Sequence, residues 1–201
     1  MAERVSTNIG TAAIVLDRDT ELMLRVKEGD GASFAILLDK HRSPVIHFLF
    51  RMVQNQAVAE ELAQEVFLRV YRSRATYEPT AKFTTWLFRI ATHLALNALR
   101  DGKNERLQER LDDDTGDMPV RQVSDHKPSV EQSLVYQAKM EEIRRAIAGL
   151  PEKQRAAVLM HKYEEMEYSQ IAKVLGCSES AVKSLLFRAY ETLRARLAHM
   201  A

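Results

Sequence analysis

The last predicted helix of the chain, from Ser180 to Leu197, has two faces of different character. At 100° per residue its apolar positions fall on one side, as expected of a helix that packs on a core. Those positions are Val182, Leu185, Leu186, Ala189 and Leu193. The opposite side carries Ser180, Lys183, Ser184, Phe187, Arg188, Glu191 and Arg194. Basic groups, hydroxyls and one aromatic ring on an exposed face predict a helix that enters a DNA major groove.

A shorter helix and a tight turn precede it. Residues 168–176 read Tyr-Ser-Gln-Ile-Ala-Lys-Val-Leu-Gly, a helix that ends at a glycine able to take positive φ. Ser178 can then cap the next helix by accepting a hydrogen bond from a free N–H. Two helices joined in this way form a helix-turn-helix. An amphipathic helix pair in another all-helical domain is the alternative, and the exposed position of Phe187 favours DNA binding.

A second amphipathic helix is predicted from Ala57 to Arg74. Its broad core face comprises Val58, Leu62, Ala63, Val66, Phe67 and Val70. Its outer face carries Glu61, Gln64, Glu65, Leu68 and Arg72. A leucine among acidic residues and a glutamine indicates a docking surface for another helix. A solvated charged face with one stray leucine is the alternative.

The helix that begins near Phe83 follows a Pro-containing loop, and residues 77–86 read Tyr-Glu-Pro-Thr-Ala-Lys-Phe-Thr-Thr-Trp. One side of this helix carries Trp86, Arg89 and His93, and its core side includes Phe83. Aromatic rings beside cations, here including Lys82, can hold unstacked bases, and stacking is worth roughly 1–3 kcal/mol per base. Phe83 and Trp86 also fit a core role, so we expect Tyr77 to be the exposed ring.

The helical spacing along the chain, without strand alternation, predicts an all-α protein. An acidic stretch rich in Asp, Gly and Pro interrupts the pattern in the middle, and 201 residues suffice for two small cores. We therefore predict an N-terminal tail at 1–19, a first helical domain at 20–103, a flexible acidic linker at 104–130 and a second helical domain at 131–201.

Charge and composition exclude several functions. The formal net charge is +1, so any DNA affinity must be local or supplied by a partner. A single cysteine and the lack of a signal sequence favour a cytoplasmic location. The sequence has no apolar run long enough to span a membrane, so we expect no membrane insertion. The six histidines lack metal-ligand spacing. No nucleophile–base pattern or cofactor motif is present, so we expect neither a metal, a cofactor nor an enzyme.

Three sequence segments and the helix-turn-helix together resemble a known family. Residues 59–71 read Ala-Glu-Glu-Leu-Ala-Gln-Glu-Val-Phe-Leu-Arg-Val-Tyr, residues 83–91 read Phe-Thr-Thr-Trp-Leu-Phe-Arg-Ile-Ala, and residues 150–155 read Leu-Pro-Glu-Lys-Gln-Arg. In this order, around an acidic linker, they resemble the extracytoplasmic-function (ECF, group 4) sigma factors of bacterial RNA polymerase. The resemblance covers nearly the whole chain.

The resemblance implies three binding surfaces and several partners. Gln64, Glu65 and Leu68 would belong to a helix that docks on core RNA polymerase. The loop from Tyr77 to Lys82 and the helix from Phe83 would capture a flipped base of the single-stranded minus-ten element. The double-stranded minus-thirty-five element would be read by Lys183, Ser184, Phe187 and Arg188. The linker would run through the polymerase cleft, and an anti-sigma factor would hold the protein inactive.

The chain departs from the family pattern at two places. His93 stands where many members carry asparagine, and Glu164 and Glu165 precede the helix-turn-helix where glycine is frequent. An autonomous helix-turn-helix regulator is the main alternative function. Such a regulator normally needs a dimerisation surface or ligand pocket to recognise two half-sites, whereas the N-terminal half here offers a docking face.

Overall fold

The computed structural model describes residues 17–109 and 130–200, and every regular element in these ranges is helical. This confirms the predicted all-α class. The helices are α1 Arg18–Lys27, α2 Gly31–Val53, α3 Gln56–Arg72, α4 Phe83–Glu109, α5 Val130–Ala148, α6 Glu152–Lys162, α7 Tyr168–Leu175 and α8 Glu179–Arg196. Single 3₁₀ turns follow α3 at Arg74–Thr76 and α8 at Ala198–Met200.

Helices α1 to α4 form the N-terminal unit, in which α2 packs on α1, α3 and α4. The side chains of Asp17, Asp30 and Asn55 accept backbone N–H groups at the starts of α1, α2 and α3, so each helix begins at a capped end. Phe48 and Phe88 meet edge to face in the core, with ring centroids 5.2 Å apart. These contacts hold α3 and α4, which carry the predicted sites, on a common core.

A buried polar cluster fixes the start of α4. Asp19 accepts a hydrogen bond of 2.7 Å from Lys40 and lies 2.9 Å from Nε2 of His41. Burial alone raises the pKa of Asp19, but hydrogen bonds from Lys40 and His41 outweigh it and the pKa is lowered. The neighbouring Thr20 hydroxyl accepts the Phe83 N–H at 3.3 Å. The first residue of α4 is therefore bonded directly to α1.

Helices α5 to α8 form the C-terminal unit and contain the predicted helix-turn-helix. Gly176 ends α7 with φ of 63°, and the Ser178 hydroxyl accepts the Ala181 N–H at 3.2 Å at the start of α8. Both features were predicted from the sequence and are confirmed. Arg196 near the end of α8 donates to the Ala146 carbonyl at 3.0 Å, which ties α8 to α5.

The predicted domain bounds fall close to helix ends without coinciding with them. Helix α1 begins at Arg18, α4 continues to Glu109 and α5 begins at Val130. Most of the predicted linker, residues 110–129, lies outside the described residues. The division of the chain at 19, 103 and 130 stays a prediction.

The N-terminal and C-terminal units pack against each other, with α7 lying on α4. The buried apolar side chains of both units form one continuous cluster. Helix α4 consequently has a second buried line that the sequence pattern did not predict, formed by Thr85, Phe88, Thr92 and Ala95. Two sides of α4 are covered because α2 and α3 pack on it from within the unit and α7 from the other unit.

Glu165 takes a left-handed conformation, with φ of 51°, in the turn between α6 and α7. We expect Glu165→Gly to raise the free energy of unfolding by about 0.5–1 kcal/mol. The strain of an L residue in this region is roughly 1–2 kcal/mol, and the greater freedom of glycine in the unfolded chain offsets part of it. Thermal unfolding of the full chain measures the change.

Gln54 provides the control for this substitution, since it has a similar φ of 57°. Its side chain, however, donates to the Arg51 carbonyl at 2.8 Å. Gln54→Gly should therefore raise the free energy of unfolding less than Glu165→Gly does, or should lower it. A loss of stability in Glu165→Gly would show that its left-handed backbone carries no relievable strain.

Glu164 lies at the junction of the two units, and burial raises the pKa of its carboxyl to about 7 although the charge of Arg51 opposes the shift. A carboxyl group whose pKa is raised in the folded state makes its full contribution to stability at pH values below its ordinary pKa. That contribution is lost as the pH rises to about 7, where the folded-state carboxyl ionises. We expect the stability of Glu164→Gln relative to the parent to be greater at pH 8 than at pH 5. Urea unfolding at both pH values measures this difference.

The exposed neighbour Glu165 provides a matched control, because Glu165→Gln removes the same charge without the burial. The difference in free energy of unfolding between Glu165→Gln and the parent should change little between pH 5 and pH 8. A Glu164→Gln difference that is equally pH-independent would contradict the assignment of the raised pKa.

Candidate docking and nucleic-acid surfaces

An open apolar groove of about 720 Å³ runs between α2 and α3, and we call it the docking groove. Phe34 and Leu38 of α2 and Gln64, Leu68 and Tyr71 of α3 line it. Leu68 is 47% exposed and Tyr71 is 42% exposed. Large apolar side chains exposed in a concave surface are typical of a protein–protein contact, because water around them is released when a partner binds.

The predicted docking residues are divided between this groove and its surroundings. Gln64 and Leu68 line the groove, whereas Glu61 and Arg72 are exposed outside its lining. Glu65 is half-buried and accepts from Arg69 Nε at 2.7 Å. The predicted exposure of Leu68 is confirmed, and the docking roles of these residues stay predictions.

The contribution of α2 to the groove was not predicted from the sequence. Phe34 packs against Tyr71 of α3, with ring centroids 5.1 Å apart. Helix α2 carries apolar residues on several sides, so its periodicity does not separate the side chains in the core from those in the groove. The exposed Ile36, which faces a different cavity near α1, illustrates the same ambiguity.

The prediction that the Tyr77 ring is exposed is wrong. Tyr77 is 3% exposed, and its ring packs on Trp86 with centroids 4.9 Å apart. Lys27 of α1 donates to the Tyr77 carbonyl at 2.9 Å, so the loop after α3 is held against α1. Burial raises the pKa of the Tyr77 hydroxyl. Phe83 is fully buried as well, so neither ring is free to stack on a base in this conformation.

The remaining predicted minus-ten residues form an accessible stripe on α4. Lys82, Arg89 and His93 are exposed, and Trp86 is half-buried between them. Their spacing of three to four residues places them on one side of the helix. Tyr77 and Phe83 pack beneath Trp86 and fix the orientation of its ring. The stripe thus presents three cationic or titratable groups around one supported aromatic ring.

Helix α8 presents the predicted reading face to solvent. Phe187 is 68% exposed, which confirms its predicted exposure. Lys183 lies one turn before it and Arg188 follows it, and within the described ranges neither cationic side chain makes an ion pair. Their charges are therefore available to phosphate or base edges.

Three further predicted residues on α8 are exposed, and two of them already have partners. The Ser184 hydroxyl donates to the Ser180 carbonyl at 3.1 Å. Arg194 forms an ion pair with Glu191, three residues earlier. Ser180 and Ser184 lie on the same side as Phe187, whereas binding of Arg194 to DNA would require its ion pair to rearrange.

The described ranges contain no group of three or more side chains arranged to hold a metal ion. Among the same residues, no helix combines the length and apolarity needed to cross a bilayer.

Comparison with known proteins identifies the class to which these surfaces belong. Residues 37–105 match the family described as Sigma-70 region 2, and residues 140–193 match Sigma-70, region 4. RNA polymerase sigma factor CarQ of Myxococcus xanthus is 34% identical over 178 residues, which cover 89% of this chain and 97% of CarQ. ECF RNA polymerase sigma factor SigX of Bacillus subtilis is 31% identical over 162 residues, covering 81% of this chain and 82% of SigX.

A solved structure agrees with this class at the level of the fold. CnrH, solved in complex with the cytosolic domain of CnrY, superimposes with a TM-score of 0.68 at 18% identity, covering 92% of this chain and all of CnrH. The chain belongs to the sigma-70 family of RNA polymerase sigma factors. Within that family it is a member of the ECF group.

Proposed function

We propose that this chain is an alternative sigma factor that binds core RNA polymerase, directs it to specific promoters and helps to melt the minus-ten element. The observation that carries the proposal is the presence, in one chain, of an exposed apolar docking groove and a helix-turn-helix with an exposed aromatic reading face. A promoter-specificity subunit needs both surfaces, because it must hold the polymerase and the DNA together.

The docking groove is the proposed contact with core polymerase. Its apolar floor between two helices suits the apolar face of a partner helix. Leu68 would insert into that face, and Gln64 would supply a hydrogen bond beside it. Glu61, Glu65 and Arg72 surround this contact as a polar rim, which sets orientation more than affinity.

The stripe on α4 is the proposed minus-ten surface. Lys82 and Arg89 would follow the phosphates of the displaced strand, while the exposed edge of Trp86 and the ring of His93 would contact an unpaired base. Flipping a base costs a few kcal/mol of unstacking, which such contacts offset. Tyr77 and Phe83 act by supporting Trp86 from below, which replaces the direct stacking role expected from the sequence.

The reading face of α8 is the proposed minus-thirty-five surface. Arg188 and Phe187 are placed to reach base edges, Lys183 and Arg194 to contact phosphates, and the hydroxyls of Ser180 and Ser184 to do either. The net charge of the chain is only +1, so these local cations act without a general attraction to DNA. Stable promoter binding therefore depends on the polymerase.

A dedicated protein partner is part of the proposal. CnrH, which shares the fold, was solved bound to the cytosolic domain of CnrY. By analogy we propose that an anti-sigma factor covers the docking groove of this chain, because Leu68 and Tyr71 in the groove are exposed apolar side chains that a protein partner can bury. We place the protein in the cytoplasm, where the polymerase and the chromosome are.

An electrophoretic shift of promoter DNA distinguishes a sigma factor from an autonomous regulator. The purified chain alone should shift a promoter fragment weakly or not at all, and addition of core polymerase should produce a competitor-resistant complex. A strong, sequence-specific shift by the chain alone would favour the autonomous regulator instead.

We expect Phe187→Ala to impair minus-thirty-five recognition without destabilising the protein. The ring is 68% exposed, so its removal creates no cavity. Transcription from promoters that depend on the minus-thirty-five element should fall, and thermal unfolding should stay within about 0.5 kcal/mol of the parent. Tyr136 on α5, which is 62% exposed, serves as a control for loss of an exposed ring. Unchanged promoter preference in Phe187→Ala would remove this ring from the reading face.

A further inference from the structure

Two rings that pack against Trp86 are both tied to helix α1. The ring of Phe83 lies 6.0 Å from that of Trp86 between centroids, and its backbone N–H donates to the Thr20 hydroxyl of α1. The ring of Tyr77 lies 4.9 Å from Trp86, and the Tyr77 carbonyl accepts from Lys27 of α1. One helix therefore holds two neighbours of the single tryptophan of the chain.

The first turn of α4 also fixes the backbone of Trp86. The N–H groups at the start of a helix have no partners within the helix. Phe83 is fully buried, so its N–H has no access to water, and Thr20, which is 2% exposed, supplies the acceptor from α1. In the same turn the Lys82 carbonyl accepts the Trp86 N–H at 3.3 Å. The position of Trp86 therefore depends on where α1 holds Phe83.

His41 of α2 holds the ring of Phe83, as Thr20 holds its backbone. The His41 and Phe83 rings are 5.4 Å apart between centroids, and Nε2 of His41 lies 2.9 Å from the Asp19 carboxylate. The pKa of Asp19 is lowered by its hydrogen bonds, so the carboxylate is ionised and can only accept. Burial lowers the pKa of His41, so a neutral imidazole donates its Nε2–H to Asp19 at pH 7.

The bonds around Asp19 are directional. Lys40 donates to both carboxylate oxygens at 2.7 Å, and His41 donates to one of them at 2.9 Å. Asp19 is only 6% exposed, and a buried charge pair often contributes no more stability than apolar packing, because desolvation opposes the attraction. Directional bonds of this kind suit a segment whose position matters more than its contribution to stability.

We propose that Asp19, Thr20 and His41 are positioning residues for promoter melting, which hold Phe83 so that Trp86 meets the unpaired base in a preset orientation. The proposal rests on the proposed minus-ten function of the α4 stripe. All three side chains are at most 6% exposed, so they act through Phe83 and Trp86 and do not touch DNA. A ring that is ordered before DNA arrives loses less conformational freedom when it binds a base.

Thr20→Val tests the bond to the Phe83 backbone, because valine keeps the shape of threonine and cannot accept the N–H. A fluorescent base in the minus-ten element of a promoter mapped by run-off transcription reports opening at several polymerase concentrations. The opening rate at saturation should fall at least about five-fold, while the half-saturating concentration stays within about two-fold. Thr20→Ser keeps the hydroxyl and should return the rate to within about two-fold of the parent.

Val66→Ala controls for a general loss of stability. Val66 of α3 is fully buried in the same unit, and its truncation leaves a cavity. It has no polar side-chain group, so it takes no part in the hydrogen bonds between α1 and α4, and its opening rate should stay within about two-fold of the parent. Equal losses of rate in Val66→Ala and Thr20→Val would overturn the positioning role. A parent protein that opens no promoter with core polymerase would instead overturn the minus-ten function.

The fluorescence of Trp86 tests the same link in the free chain, without polymerase or DNA. Trp86 is the single tryptophan, so its emission needs no label. His41→Gln removes the ring that packs on Phe83 and keeps a side-chain N–H. Quenching of Trp86 by acrylamide should rise about two-fold in Thr20→Val and in His41→Gln, and should stay at the parental value in Val66→Ala. Parental quenching in both Thr20→Val and His41→Gln would overturn the proposal.

Discussion

Leu68→Asp is expected to weaken binding of the chain to core RNA polymerase by at least about 100-fold. Burial of a leucine against a partner is worth roughly 1.5–3 kcal/mol, and an aspartate in its place adds the cost of desolvating an unpaired charge. Leu68 is 47% exposed in the free chain, so the same change should leave thermal unfolding within about 0.5 kcal/mol of the parent. Fluorescence titration with core polymerase measures the affinity.

Ile36→Asp is the matched control for this experiment. Ile36 is also 47% exposed, but it faces a cavity beside α1 and does not line the docking groove. It should retain the affinity of the parent for core polymerase within a few-fold. Equal losses in the two variants would indicate a general effect of surface charge, and parental affinity in Leu68→Asp would show that the polymerase binds elsewhere.

Tyr77→Ala is expected to lower the free energy of unfolding by about 3 kcal/mol, because truncation of a buried aromatic side chain leaves a cavity. Tyr77 is 3% exposed and packs on Trp86, whose ring would lose its support. Promoter melting should fall as a consequence, and a template with a pre-opened bubble should restore activity only in part. Thermal unfolding and open-complex assays together measure the two effects.

Tyr77→Phe separates packing from the hydroxyl in this experiment. It keeps the ring that supports Trp86 and should retain most of the stability and melting activity lost in Tyr77→Ala. A Tyr77→Ala variant with parental stability and a specific melting defect would mean that the ring is exposed to DNA when the protein works, as the sequence pattern had indicated.

The sequence was most informative where one helix face determines the outcome. On α8 the apolar stripe and the polar face differ clearly, so the exposure of Phe187 and the cap at Ser178 were predicted and confirmed. On α3 the single leucine of the outer face was placed correctly for the same reason. Periodicity and capping are local properties, so a single sequence records them.

The sequence was less informative where a contact joins distant segments. Tyr77 looked like a loop residue, and its burial depends on Lys27 and Trp86, each in a different helix. The burial of Thr85 on α4 depends on α7, which packs on α4 from more than 70 residues away and places Gln170 3.4 Å from the Thr85 hydroxyl. Helix α2 is apolar on several sides, so its share of the docking groove was not separable from its core face.

The three proposed surfaces are divided between the N-terminal and the C-terminal unit. The docking groove lies entirely within the N-terminal unit and is open in the packed arrangement. The α4 stripe belongs to the N-terminal unit, and the α8 face belongs to the C-terminal unit.

Run-off transcription with core RNA polymerase on fragmented genomic DNA, followed by mapping of the start sites, is the most direct test of sigma function. Core polymerase with the purified chain should initiate at a discrete set of positions that share two upstream elements, and core polymerase alone should not. Leu68→Asp should lose these starts while Ile36→Asp keeps them. A set of start sites that is the same with and without the chain would contradict the assignment of sigma activity.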